Sequence, residues 1–205
     1  MKQTIVIVVG PDMTGKTQIA QELARRTGIP YFKASSERMT FLTSGWGRSA
    51  TFAVAQEQSR LMLQEDRERL EEIQKNQFWY DLLIADPRMI DFLKQTGQSV
   101  IMDRGFPCEF AYSRVMKRKS NTSAVFQIDQ AYSKLGAKIV ICVRKSYEGI
   151  VDDIDPKINS TILQELDREY RYFADKTRCQ KLLLEVDNED IEQELSAIRT
   201  GLGIG

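Results

Sequence analysis

The segment Gly10-Pro11-Asp12-Met13-Thr14-Gly15-Lys16-Thr17 constrains this chain more than any other, because its flanks are as restrictive as its own residues. Before it, Thr4 to Val9 is a β-branched apolar run with the character of a strand buried on both faces. After it, Ile19, Ala20, Leu23 and Ala24 recur at helical spacing between Lys16 and Thr27. Strand, tight glycine turn and helix form the opening unit of an α/β fold. The eight residues match G-x-x-x-x-G-K-[ST] in full. In that pattern the glycines let backbone N–H groups turn inward around a phosphate, the lysine reaches the β- and γ-oxygens, and the hydroxyl faces magnesium. A helix starting near Gly15 adds its positive end. The expected phosphate contacts are therefore Gly10, Met13, Thr14, Gly15, Lys16 and Thr17.

The rest of the chain continues the α/β pattern. Gly28-Ile29-Pro30 ends the first helix, and Tyr31 to Ala34 is a short candidate strand. Glycine, serine and threonine from Thr40 to Ser49 predict a loop around Trp46, followed by a long, partly exposed helix over Ala50 to Gln74. The Glu/Arg alternation of that helix suits a solvated face that packs on the core or on another subunit. Phe78 to Ile84 is helical in pattern, and Asp86-Pro87 predicts a new helix start that runs on through Met89 to Gln95. Further apolar runs at Ser99 to Met102, Ala137 to Val143 and Leu182 to Val186 complete a set of five strands, with a helix over Ile191 to Ile198 after the last. Near-continuous apolar strands separated by helices predict a parallel sheet covered on both sides. Gly201 to Gly205 reads as a frayed tail.

With 205 residues, the expectation is one domain carrying a helical elaboration at about 50–95. Lys plus Arg and Asp plus Glu both number 29, so nothing in the net charge draws the chain to nucleic acid or to an anionic membrane. Cys108, Cys142 and Cys179 lack metal-ligand spacing and have no histidine to join them, which fits a reducing, cytoplasmic setting. The total absence of histidine excludes Ser-His-Asp and Cys-His chemistry. The early apolar run is too short for a bilayer span and is followed by Gly-Pro-Asp rather than a small-residue cleavage site.

A second constellation stands where a strand should end, at Asp103-Arg104. Ligands of open α/β sheets bind outside the carboxyl ends of strands, so both residues should face the crevice that Lys16 faces. Here the sequence resembles the thymidylate kinase family and related deoxynucleoside kinases. That family's pattern is an apolar strand, Asp-Arg, an aromatic shortly after, Ser four residues after the Arg and Ala-Tyr three further on. Asp103-Arg104 and Ala111-Tyr112 match it, Phe106 stands one place later than the usual tyrosine, and Cys108 takes the serine position. Gly10-Pro11-Asp12 matches the Gly-x-Asp common before Gly-Lys in those kinases. Leu82 to Arg88 looks like the family's leucine-rich stretch ending in Ala-Asp-Arg, whose arginine touches the acceptor nucleotide. Its spacing to Asp103 is short, so Arg60 or Arg67 is an alternative to Arg88. The family's lid arginines have no match in the acidic segment Val151 to Lys157; Lys157, Arg144, Lys145, Arg168 and Arg171 are the cations nearest to it.

The resemblance implies a three-layer, nucleoside monophosphate kinase-like fold with a lid at about 148–162, cytoplasmic and homodimeric. It also implies ATP-dependent, Mg²⁺-dependent phosphorylation of a deoxynucleoside monophosphate. Lys16 and the loop amides would hold the donor, with Arg144 or Lys157 as a clamp. Thr17 and Asp103 would hold the metal, and Arg88 and Arg104 would draw in the acceptor. Asp12, Phe106, Cys108, Tyr112 and Arg67 would border the acceptor, an aromatic among Phe106 and Phe78 to Tyr80 stacking on its base. Cys108, at a helix start, is either a thiol of lowered pKa or a small buried filler. Two other readings stand beside this one: a kinase acting on a nucleoside 5′-hydroxyl with Asp103 as base, and an ATP-binding regulatory protein with little turnover.

Overall fold

The computed structural model describes residues 3–33, 81–117, 121–150, 158–186 and 190–204. Five parallel strands form its sheet: β1 (Ile5–Val9), β2 (Tyr31–Lys33), β3 (Val100–Asp103), β4 (Lys138–Val143) and β5 (Gln180–Glu185). Their order is β2-β3-β1-β4-β5, so β1 lies at the centre and the loop that follows it opens over the middle of the sheet. The register pairs Val8 with Asp103 and Val9 with Ile141, which sets the ends of β1, β3 and β4 side by side.

The two-residue period of a strand divides the core in two. Ile5, Ile7 and Val9 point to one face with Met102, Ile139 and Ile141. That face is covered by α2 (Asp86–Thr96), α3 (Phe106–Val115), α4 (Thr122–Lys134) and α5 (Ser160–Lys176). Val6 and Val8 point to the other, under α1 (Lys16–Thr27) and α6 (Ile191–Leu202). The outcome is a three-layer α/β sandwich around a five-stranded parallel sheet, as the apolar runs predict.

Local signals start and stop these helices. Asn121, Asn159 and Asp190 accept hydrogen bonds from first-turn N–H groups of α4, α5 and α6. Asp86 does not begin a separate helix after a break. A π-helical turn over Asp81–Ala85 runs directly into α2, with Ala85 itself helical (φ −68°, ψ −48°). The chain end also departs from expectation: Gly201 and Leu202 are the last turn of α6, and Leu202 and Ile204 are buried in the core. Gly203 turns the chain at φ 59°, and Lys138 Nζ holds the helix end by donating to the carbonyls of Leu202 and Gly203. Two apolar side chains outweigh the glycine-rich composition there. The expected helix over Ala50 to Gln74, the Trp46 loop and the centre of the lid at 151–157 lie outside the described residues, as does most of the elaboration at 50–95.

Candidate functional site

The loop from Gly10 to Gly15 folds tightly over the ends of β1 and β4. Gly10 adopts φ 147°, and a Cβ there would stand 2.1 Å from the carbonyl oxygen of Cys142. The first glycine of the motif is thus required by the approach of the loop to β4. Thr14 is fully buried and its hydroxyl donates to the Pro11 carbonyl at 2.8 Å. Gly15 is left-handed (φ 68°) at the start of α1 and offers no side-chain cap, so the first-turn N–H groups of the helix are directed at the loop. Met13, 43% exposed, is also left-handed (φ 62°), and its carbonyl accepts from Arg144 Nη1 at 2.8 Å.

Asp12 sits at the centre of this arrangement. Its Oδ1 accepts from Lys16 Nζ at 3.2 Å and from Arg104 Nη2 at 2.5 Å, and its Oδ2 accepts from the Tyr112 hydroxyl. Burial alone would raise the Asp12 pKa; the Arg104 and Lys16 charges and the Tyr112 hydroxyl outweigh it and hold the carboxyl well below the usual carboxylate range. Burial, followed by the Arg104 charge, pushes the Lys16 ammonium down from its ordinary value, against the pull of Asp12. Lys16 also donates to the Pro11 carbonyl at 2.9 Å. Arg104 is left-handed too (φ 72°), a conformation that costs a non-glycine residue roughly 1–2 kcal/mol. Its backbone N–H donates to Val8 O at 2.9 Å, which ties it to the sheet and aims the side chain at Asp12.

Asp103, the last residue of β3, is fully buried. Its Oδ2 accepts from Thr17 Oγ1 at 2.6 Å and from the Tyr31 hydroxyl at 3.2 Å. Its Oδ1 is buried with no hydrogen-bond partner among the described residues. A buried carboxylate oxygen left over beside a threonine hydroxyl is a hard-oxygen donor set and fits Mg²⁺. Among the described residues no group of three or more His, Cys, Asp or Glu side chains exists to hold a metal by protein ligands alone.

The remaining expectations separate. The Phe106 ring is buried in the core, stacked on Tyr132 at 5.5 Å between centroids and edge-on to Phe173. The first helical turn after Arg104 points it under the sheet, so the expected stacking on a base is corrected for this residue. Cys108 is the buried filler, not a thiol of lowered pKa; burial pushes it up from its ordinary value despite the Arg104 charge. The fully buried Tyr170 hydroxyl lies against it. Arg88 is exposed on the first turn of α2, and no hydrogen bond or ion pair among the described residues joins it to the Asp12 cluster. Arg60, Arg67, Lys157 and Phe78 to Tyr80 lie outside the described residues. Tyr31, Tyr147 and Asp167 take part in the network around the site without any motif to announce them.

No protein-family model matches the chain, and no curated protein matches it in sequence. Solved structures do. Deoxyadenosine kinase from M. mycoides with bound dATP is similar at 16% identity and a TM-score of 0.56, over 98% of this chain and all of its own. Thymidylate kinase from Ehrlichia chaffeensis is similar at 15% identity and a TM-score of 0.52, over 100% of both chains. The YorR protein from Bacillus subtilis, solved with phosphorylated GDP, is similar at 15% identity and a TM-score of 0.53, over 96% of this chain and 94% of its own. At such identities the likeness extends to the fold alone, a five-stranded parallel sheet between helical layers. No helix among the described residues is long and apolar enough to cross a membrane.

Proposed function

We propose that this protein transfers the γ-phosphoryl group of ATP to a deoxynucleoside monophosphate. The observation that carries the reading is the convergence of Lys16, from the phosphate loop, and Arg104, from the end of β3, on one oxygen of Asp12. Two cations from two strand ends, kept close by one acid, suit two phosphate groups that must meet against their mutual repulsion. The fold shared with kinases, two of which are named for deoxyadenosine and thymidylate, supports the same class.

In this reading the loop amides, the start of α1 and Lys16 bind the donor phosphates and hold the γ-phosphorus in line with the acceptor. Arg104 binds the acceptor phosphate and lowers the repulsion between the substrates. An acceptor phosphate oxygen attacks the γ-phosphorus, the bond from phosphorus to the β,γ-bridging oxygen breaks, and ADP leaves with that electron pair. A phosphate oxygen at neutral pH needs no base, which suits a chain without histidine. Thr17 and Asp103 are the residues that would hold Mg²⁺, which when bound neutralises charge on the β- and γ-oxygens. In this reading the sugar lies against Tyr112, whose hydroxyl already donates to Asp12 and has no proton left to give a ribose 2′-hydroxyl. An unsatisfied buried hydroxyl costs about 1–3 kcal/mol, equivalent to roughly a 5- to 150-fold preference for the deoxy sugar.

One observation favours a second reading. The Oδ1 of Asp103, without a hydrogen-bond partner among the described residues, is also a base able to accept a proton from a nucleoside 5′-hydroxyl. A panel of nucleosides and of deoxy- and ribonucleoside monophosphates, incubated with ATP and Mg²⁺ and read by ADP release and product mass, separates the two. Diphosphate products support the first reading. Monophosphates formed from nucleosides support the second, and equal kcat/KM for a deoxy/ribo pair would defeat the sugar preference alone.

A further inference from the structure

We propose that Arg144, anchored through Tyr147 and Asp167, is a brace that holds the phosphate loop in its binding conformation before any ligand arrives. The proposal rests on the phosphate-site reading above and deepens it, since it gives Arg144 a role other than clamping phosphate from a lid.

The loop needs such a brace at Met13. A left-handed φ of 62° is unfavourable for a residue with a Cβ, and the Met13 side chain is 43% exposed, so packing does little to fix it. Left-handed residues inside a tight turn are how successive N–H groups are made to converge on an anion. The Met13 carbonyl instead finds a partner in Arg144, the first residue after β4, whose Nη1 donates to it at 2.8 Å. A guanidinium on a carbonyl is a charge-assisted bond, stronger than a bond between neutral groups. It therefore favours the strained turn over alternatives in which that carbonyl points elsewhere.

Arg144 can act this way only if its own backbone is fixed, and the fixing comes from α5. The Arg144 N–H donates to the Tyr147 hydroxyl at 3.2 Å, and that hydroxyl donates to Asp167 Oδ2 at 2.9 Å. Tyr147 is buried, and Asp167 Oδ1 accepts from Arg171 Nε one helical turn further on. Burial, then the Asp167 carboxylate, pushes the Tyr147 pKa up, so the hydroxyl keeps the proton it donates. Met13, Arg144, Tyr147, Asp167 and Arg171 thus form one hydrogen-bonded path from the phosphate loop to α5. Tyr147 and Asp167 are positioning residues that act through Arg144.

The test is a double-mutant cycle on the full chain, using inorganic triphosphate without metal as the probe and calorimetry as the readout. R144A should weaken triphosphate binding by roughly 10- to 150-fold, the loss expected of one charge-assisted bond, and Y147F by roughly 3- to 10-fold, the loss expected of one bond between neutral groups. The double variant should be no more than about twofold weaker than R144A, because both changes cut one path. In steady-state transfer Y147F should raise KM for ATP and leave KM for the acceptor unchanged. Multiplicative losses in the cycle, a Y147F protein with wild-type affinity, or an equal rise in both KM values would overturn the brace. A melting curve checks folding; should R144A not fold, R144K replaces it in the same cycle. A wild-type chain that binds no triphosphate would overturn the phosphate site itself and the brace with it, whereas wild-type binding with an unaffected Y147F overturns the brace alone.

Discussion

Replacing Asp12 with asparagine tests the centre of the site, because it keeps the size and an acceptor for Tyr112 while deleting the charge between two cations. At an effective dielectric near 20, a charge pair at about 4 Å is worth roughly 4 kcal/mol, and Asp12 makes two such pairs. Two effects reduce that sum. The variant no longer buries a carboxylate, and Arg104, with 36% of its side chain exposed, is partly screened by water. A net loss of about 2–4 kcal/mol is expected, near the range for removing one partner of a buried pair and less than the roughly 5–15 kcal/mol of a typical domain. The variant should therefore fold, with a lower urea midpoint by circular dichroism. Inorganic triphosphate should then stabilise it more than it stabilises the wild type, since Lys16 and Arg104 no longer have an internal anion to give up. The pH dependence follows from the depressed Asp12 pKa. Its contribution is complete above the unfolded carboxyl value near 4 and fades as pH falls toward the folded one, so the gap between the two proteins should be flat above about pH 5 and shrink below it. A variant within about 0.5 kcal/mol of wild type at pH 7, gaining no more from triphosphate, would refute the picture of one acid restraining two cations.

Gly10→Ala should cost about 2–5 kcal/mol by urea unfolding, from overpacking against Cys142 O and from a strained positive φ; a cost below about 1 kcal/mol would mean the loop can shift off β4. Arg104→Ala should raise KM for a monophosphate acceptor by roughly 10- to 150-fold and leave KM for ATP within about twofold, and the opposite pattern would place Arg104 on the donor side. Arg104→Gly should be about 1 kcal/mol more stable than Arg104→Ala, because only the glycine relieves the left-handed backbone. Thiol labelling should find no fast cysteine in the native protein at pH 8, since burial raises Cys108 and pushes Cys142 up to about 12; one residue reacting at the rate of a free thiol would contradict the packing of Cys108.

The parts of the fold legible in the sequence were those set by local pattern. The strands are apolar runs whose ends differ from expectation by one or two residues, and α1 runs from Lys16 to Thr27 as its periodicity predicts. The helix α4 is marked less plainly, by Asn121 as a cap and by Val125, Asp129 and Tyr132 buried at helical spacing. Asp129 disguised the apolar stripe, because its buried carboxylate is satisfied by the Thr177 hydroxyl and the Arg178 N–H from a distant turn. Ile204 likewise shares a core cluster with side chains of α1 and β5, which no window of five residues contains. For the site, Lys16, Thr17 and Asp103 come from short motifs. The Tyr31 contact to Asp103 spans 72 residues and the Arg144 contact to Met13 spans 131, so only the closed sheet brings them together.

The same geometry explains why an acid belongs at Asp12 in a site meant for anions. Lys16 and Arg104 are fixed by elements that the fold requires, one at the start of α1 and the other pinned by its N–H to Val8. Without a counter-ion they would face each other across a buried gap, and the cheapest relief would be for the loop or the residue after β3 to swing away. Asp12 removes that repulsion and, through Tyr112, ties the pair to α3. Incoming phosphate must then displace an internal carboxylate, so part of the Coulomb gain of binding is already present in the empty site and affinity is lower than two free cations would give. What remains is orientation: the cations stay where the phosphates will meet, and little reorganisation is left for the transfer step.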